Sequence, residues 1–274
     1  MTRVPVPAKI NLALLVGERR DDGLHEVATV LQRIDLCDRL ELEPADELAV
    51  GGFSGDTLVR AALERLAAAA GVEPCWRVRL EKRIPLAAGL GGGSADAGAA
   101  LVLANRTLRD PLPHDRLVAV AATLGADVPF FLEPGPKLAE GVGERLTPID
   151  LPQDYWALVA LPRGARKASS GAVYLRYDEL GEVPGFKGRR DALRAALASC
   201  VAARDLAALP ANDLAAAAGR PAIVDELARA GAFRADVSGA GPAVYALFEH
   251  RPEAEAAARR VRRGARVWVA APVW

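Results

Sequence analysis

The residues best spaced for chemistry run Pro85-Leu86-Ala87-Ala88-Gly89-Leu90-Gly91-Gly92-Gly93-Ser94-Ala95-Asp96-Ala97-Gly98-Ala99-Ala100. Four glycines in five positions suit neither a helix interior nor an ordinary strand, because glycine loses the most conformational freedom on ordering. Alanine and leucine follow at helical spacing through Leu103, so the run reads as a tight loop opening into a helix that begins near Ser94. Such a loop can wrap a phosphate. Bare N–H groups approach an anion without Cβ interference, and the unpaired N–H groups of the first helical turn point the same way. A flexible surface loop or a close helix crossing would use the same glycines. No Gly-Lys-Ser/Thr follows, which excludes the P-loop pattern, and Ser94 stands where a dinucleotide fingerprint needs glycine or alanine.

Other residues carry chemical potential by type. Lysine occurs only at positions 9, 82, 137, 167 and 187, the remaining basic residues being arginine, which singles out Lys9 and Lys82 as compact point charges. Asp127 follows the helix-ending Gly125 and precedes Val-Pro; a turn or capping aspartate would look the same as a proton acceptor. His25, His114 and His250 are too far apart for a metal-ligand spacing. Ser238-Gly239-Ala240-Gly241-Pro242 is a simple turn or a second glycine loop.

Read as P-x-x-x-G-L-G-G-G-S-x-D-A, Pro85 to Ala97 resembles the central motif of the GHMP kinases. Pro7-Ala8-Lys9-Ile10-Asn11-Leu12, Asp22-Gly23-Leu24-His25, Gly125-Ala126-Asp127-Val128-Pro129-Phe130-Phe131, Glu140-Gly141-Val142-Gly143-Glu144 and Ser238-Gly239-Ala240-Gly241-Pro242 extend the match across the chain. In order and spacing they resemble the 4-diphosphocytidyl-2-C-methyl-D-erythritol kinase family. The resemblance implies an α+β, two-domain GHMP kinase fold, with an N-terminal ribosomal protein S5 domain 2-like domain and a C-terminal ferredoxin-like α+β domain. It also implies ATP-dependent phosphorylation of the 2-hydroxyl of a small substrate carrying a cytidine diphosphate group.

The same resemblance assigns residues. It puts the ATP phosphates on Pro85, Leu86, Ala87, Ala88, Gly89, Leu90, Gly91, Gly92, Gly93, Ser94 and Ala95, with Lys82 and Thr57 also on the nucleotide side and Ser94 near Mg2+. Lys9 and Asp127 become the catalytic pair, the lysine keeping the carboxylate ionised and favouring negative charge on the attacking hydroxyl. Whether Asp127 is a general base or an electrostatic orienter is left open. Asn11, Leu24, His25, Tyr174, Asn212, Asp213, Gly239 and Gly241 fall on the substrate side, His25 reading the cytosine edge and Tyr174 covering a face of the base. Two positions depart from the family pattern. Leu24 replaces a tyrosine that would stack on the base, and Thr57 replaces an asparagine near the adenine.

These residues need elements to hold them. Val6, Ala8, Ile10, Leu12 and Leu14 alternate over a strand Val6–Val16, with Lys9 and Asn11 on the other face. Strands are predicted at Val27–Ile34 and Arg39–Leu42, joined through Asp35–Asp38, and at Trp76–Leu80. Helices are predicted at Thr57–Ala70 with a Gly71 stop, from about Ser94 to Leu108, and from Pro113 to Leu124. Pro134 to Gly143 contains turns, and the prolines of Pro148–Asp154 suggest a domain boundary, giving domains 1–150 and 151–274. Beyond it, a strand Tyr155–Leu161, helices Ser170–Tyr177, Arg190–Arg204 and Ala222–Ala230, strands Phe233–Val237 and Ala243–Phe248, helix Pro252–Val261 and strand Arg266–Val269 suggest helices on a small sheet.

Composition bounds the partners. At 274 residues the chain can bury a substantial core, and its 51% hydrophobic content contains no apolar run of membrane-spanning length. The 35 basic and 35 acidic residues cancel, which gives no general attraction to nucleic acid or to an anionic membrane. Cys37, Cys75 and Cys200 support neither a disulfide framework nor a zinc site. With no signal-like apolar segment at the start, a cytoplasmic location is expected. Other acceptors (mevalonate, homoserine or a sugar) and a non-catalytic RNA-binding module remain as alternatives, and both monomer and homodimer stay open.

Overall fold

The computed structural model describes residues 1–53, 58–165, 169–181 and 183–274. The chain forms two compact units that interleave along the sequence. The first comprises Met1–Ala8, Leu36–Leu86 and Gly91–Pro134; the second comprises Lys9–Asp35, Ala87–Leu90 and Gly135–Trp274. Strands β1 (Thr2–Arg19) and β2 (His25–Pro44) are long enough to give a segment to each.

In the first unit, β3 (Ala49–Gly51), α1 (Leu58–Ala70), β4 (Trp76–Glu81), α2 (Gly92–Asn105) and α3 (His114–Ala122) follow, then a 3-10 turn at Pro129–Leu132. Arg39–Pro44 of β2 pairs antiparallel with β4, which pairs parallel with β3. Trp76, Val78 and Leu80 face inward while Arg77, Arg79 and Glu81 face water, the two-residue alternation of a half-buried strand. Helix α1 buries Val59, Ala62, Leu63, Leu66 and Ala67, a stripe at three and four spacing. Helix α2 carries small residues on most sides and lies close to its neighbours. At Gly98 a Cβ would stand 2.7 Å from the Cβ of Phe131, so glycine there admits the 3-10 turn against the helix.

The second unit continues with β5 (Lys137–Gly141), β6 (Arg145–Pro148), β7 (Trp156–Pro162), α4 (Ser170–Leu180), α5 (Phe186–Ala198), a 3-10 turn at Ala203–Ala208, α6 (Ile223–Arg229), β8 (Arg234–Val237), β9 (Val244–Phe248), α7 (Arg251–Val261), β10 (Ala265–Ala270) and β11 (Pro272–Val273). Val27–Leu31 of β2 pairs antiparallel with β5, and β5 with β6. The later strands form an antiparallel sheet in the order β10-β7-β9-β8, the ferredoxin-like arrangement. Its core joins Leu158, Ala160, Val244, Ala246 and Phe248 to Val224 and Leu227 of α6 and Ala257 and Val261 of α7. The α+β expectation holds.

Several local expectations are corrected. Residues 27–42 form one strand, not two: Asp35 and Asp38 accept hydrogen bonds from Ala271 N and from Arg83 N and Ile84 N, and neither turns the chain. Strand β1 is buried on both faces from Ala8 to Gly17, so Lys9 and Asn11 do not lie on a polar face. Within the stretch expected to contain turns, residues 137–141 form a strand. Helix α2 starts at Gly92, two residues early, because Gly91 caps it in the left-handed conformation at φ 70°. The Arg190–Arg204 helix runs instead from Phe186 to Ala198, and Ala203–Ala208 is a separate 3-10 turn. Among the described residues, no helix is long and apolar enough to cross a membrane.

Candidate active site

In the first unit, the chain enters the glycine loop through Lys82. Its ammonium donates to the carboxylates of Asp38 and Asp96, both fully buried. Burial works against the charge of Lys82, but Asp96 and Asp38 outweigh it and hold the ammonium above the ordinary lysine range. Lys82 was expected on the nucleotide. Its ammonium meets these carboxylates beside the start of α2, where a Cβ on Gly92 would stand 3.4 Å from Nζ.

The loop then takes left-handed backbone at Ala87 (φ 53°), Gly89 (φ 83°) and Gly91 (φ 70°). Pro85, Ala88 and Leu90 are buried, while Leu86, Ala87 and Gly93 are exposed. Gly91, Gly92 and Ser94 are partly exposed at the first turn of α2, where amide groups lack intrahelical partners. Asp127, half-buried, lies two residues before the 3-10 segment that packs on Gly98 of α2. Thr57 lies outside the described residues.

In the second unit a buried polar chain begins at Lys9, which is 4% exposed. Lys9 Nζ donates to Asn11 Oδ1 at 2.6 Å, Asn11 Nδ2 to Thr29 Oγ1 at 2.8 Å, and Thr29 Oγ1 to Ala13 O at 2.6 Å. This series fixes the Asn11 amide with its oxygen toward the ammonium. Gly239 (φ 56°) lies against the pair, since a Cβ there would stand 3.1 Å from Asn11 Oδ1 and 3.4 Å from Lys9 Nζ.

The Ser238–Gly241 turn also holds the apex of the first glycine loop. Ser238 Oγ donates to Gly89 O at 3.0 Å, Ala243 N to Ala88 O at 3.0 Å and Lys9 N to Leu90 O at 2.9 Å. A Cβ on Gly89 would fall 2.3 Å from Ser238 O, so only glycine admits this approach. Lys9, Asn11, Ala88–Leu90, Gly239 and Gly241 are thus brought together.

Asn212 and Asp213 are spent on the fold. Asn212 Nδ2 donates to Val237 O and Gly239 O, while its Oδ1 accepts from Leu214 N. Its backbone N–H donates to Asp236, whose carboxyl is pushed up by burial. The Asp213 carboxylate accepts from Val16 N and Arg189. These bonds tie Asn212 to the Gly239 turn and Asp213 to β1.

Farther along, His25 is buried with Nδ1 2.9 Å from Gly17 O and Nε2 3.0 Å from Asp178 Oδ1. Tyr174 stacks on its ring at 5.3 Å and 21°, and Tyr177 meets it edge-on. Leu24, beside it, is exposed. Sequence reasoning passed over Asp38, Thr29 and Asp178. For Asp178 a signal existed, because it follows Tyr174 by four residues and so shares its helical face.

The family description GHMP kinases N terminal domain matches residues 57–135, and GHMP kinases C terminal matches residues 221–266. The 4-diphosphocytidyl-2-C-methyl-D-erythritol kinase of Geobacter sulfurreducens is 37% identical, the match covering 97% of this chain and 96% of that one. The protein of the same name from Salinispora arenicola is 41% identical over 92% of this chain and 85% of its own. A crystal structure of 4-(cytidine 5'-diphospho)-2C-methyl-D-erythritol kinase superposes with a TM-score of 0.83 at 34% identity, covering all of both chains. A homoserine kinase from Cytophaga hutchinsonii, at TM-score 0.76 and 17% identity over 99% of this chain and 94% of its own, shares the fold. The chain therefore belongs to the 4-diphosphocytidyl-2-C-methyl-D-erythritol kinase family of the GHMP kinases.

Proposed function

We propose that this chain uses ATP to phosphorylate the 2-hydroxyl of 4-diphosphocytidyl-2-C-methyl-D-erythritol, releasing the 2-phosphate and ADP, as a cytoplasmic step of the non-mevalonate route to isoprenoid precursors. The observation that carries this reading is identity of 37–41%, over more than nine-tenths of the chain, to kinases of that name. A kinase must neutralise phosphate charge, align a hydroxyl and exclude water. The N–H groups from Gly89 to Ser94, with the helix that follows, serve the first need. Mg2+, when bound with ATP, neutralises further charge on the phosphates, and the partly exposed Ser94 hydroxyl fits a place beside it.

Asp127 takes the proton from the substrate hydroxyl, and Lys9, oriented by Asn11, favours the negative charge that develops there. Lys82 orders the loop through Asp38 and Asp96. Residues 1–150 are read as the domain carrying the nucleotide loop, and residues 151–274 as the domain that adds Tyr174, Gly239 and Gly241 on the substrate side. The test offers purified protein, ATP and Mg2+ the cytidyl substrate, mevalonate and homoserine in parallel, read by phosphorus NMR. Phosphate transfer to the cytidyl substrate alone is expected; transfer to either of the others instead would replace the acceptor, and no transfer would sink the kinase reading.

A further inference from the structure

Three side chains of β1 and β2 pass their hydrogen bonds in one direction, from Lys9 through Asn11 to Thr29 and on to the carbonyl of Ala13. All three are buried, Thr29 at 6% exposed, so neighbouring groups rather than water set the sense of each bond. The ends of the series leave no choice, because an ammonium only donates and a carbonyl only accepts. A threonine hydroxyl has one proton, and Thr29 sends it to Ala13 O at 2.6 Å. Toward Asn11 it therefore offers lone pairs alone. These call for Nδ2, at 2.8 Å, and leave Oδ1 for the ammonium at 2.6 Å. The opposite orientation of the amide would set its NH2 group against an ammonium and its oxygen against the lone pairs of Thr29. Gly239 walls the amide on another side, since a Cβ there would stand 3.1 Å from Oδ1.

We infer that Thr29 is a positioning residue for phosphoryl transfer: its hydroxyl, committed to Ala13 O, fixes the Asn11 amide and through it the place of the Lys9 ammonium. This rests on the reading above in which Lys9 favours negative charge on the attacking hydroxyl. A lysine ammonium is a point charge on a flexible four-carbon stem, with no fixed direction of its own. An acceptor braced from behind supplies that direction. Valine in place of Thr29 keeps the branched shape and removes the acceptor, which leaves the Asn11 NH2 group without this partner and the amide free to turn away from Lys9. Serine keeps the hydroxyl and so keeps the brace. A misplacement of about 1 Å at a reacting centre can lower a rate by on the order of 100-fold, so a residue that bonds only to Asn11 and to backbone can still govern turnover.

The experiment measures kcat and the KM for ATP in wild type, Thr29→Val, Thr29→Ser, Asn11→Ala and the double variant Asn11→Ala with Thr29→Val. The acceptor is whichever of the cytidyl substrate, mevalonate and homoserine the wild type phosphorylates, and the temperature is one at which every variant is folded by circular dichroism. Thr29→Val should lower kcat by about tenfold or more with the KM for ATP within about twofold, and Thr29→Ser should restore most of the rate. Once Asn11 is alanine there is no amide left to hold, so adding Thr29→Val should change kcat by less than about twofold. A packing role would lower kcat by the same factor in both backgrounds. Equal factors, or a Thr29→Val enzyme with wild-type turnover, overturn this inference and leave the kinase reading standing. A wild type that phosphorylates none of the three acceptors overturns both.

Discussion

Replacing Gly89 with alanine tests whether the two glycine turns of the second unit are locked together. The backbone there has φ 83°, and an alanine Cβ would fall 2.3 Å from Ser238 O and 3.0 Å from Gly241 O. Gly71, after α1, supplies the control: its φ is 69°, and a Cβ there meets nothing within 4 Å. Both substitutions incur the left-handed strain of a non-glycine residue, about 1–2 kcal/mol. Only Gly89→Ala must also push backbone oxygens aside, at about 1–3 kcal/mol. That shift loosens the bonds of Ser238 Oγ to Gly89 O and of Ala243 N to Ala88 O, each worth about 0.5–1.5 kcal/mol. The excess destabilisation of Gly89→Ala over Gly71→Ala is therefore roughly 2–4 kcal/mol. At about 2–4 °C per kcal/mol for a chain of this size, the two Tm values should differ by about 5–15 °C in differential scanning calorimetry. Equal Tm shifts for the two variants would refute the locked approach.

Asp127→Asn should lower turnover by about 100-fold or more with little change in nucleotide affinity, since proton transfer contributes about 10²–10⁴-fold; turnover within threefold of wild type removes Asp127 from the chemistry. Lys9→Arg should be nearly as inactive as Lys9→Ala in steady-state assays, because a guanidinium fork does not fit between Asn11 Oδ1 and the Gly239 turn; an active arginine variant means that a general positive field suffices. Lys82→Met leaves two buried carboxylates without their cation and should cost about 3–5 kcal/mol in urea unfolding at neutral pH. The Lys82 ammonium is held above its ordinary range, so its contribution is full below that range and is lost as pH rises through the raised value. The gap between wild type and Lys82→Met should therefore stay constant to about pH 9 and narrow above about pH 10.4, and a gap that widens there refutes the assignment.

Local pattern was legible where neighbours in sequence decide structure. The Trp76-Val78-Leu80 alternation and the apolar stripe of α1 ending at Gly71 needed no distant partner. The continuous β2 was not legible, because Asp35 and Asp38 resemble turn residues until Ala271, Arg83 and Ile84 supply amides to their carboxylates. Strand β5 was hidden by Gly135, Gly141 and Gly143, whose left-handed backbone flanks a strand held by pairing with β2 and β6. At the site, the glycine loop and the Lys9–Asn11 spacing announced themselves. The fold partners of Asn212 and His25 did not, since residue type alone does not reveal which distant groups a side chain meets.

The bond from Ser238 to Gly89 spans 149 residues, and that distance is also a delay. A ribosome adding about 5–20 residues per second makes Ser238 roughly 7–30 s after Gly89. Throughout that interval the nascent chain carries its glycine loop without the turn that shapes Ala88 to Leu90. Still later, Pro272 and Val273 pair with Ile34 and Arg33, within two residues of the last one. The glycine loop from Ala88 to Leu90 thus waits for Ser238 and Ala243 before the bonds that hold its apex can form.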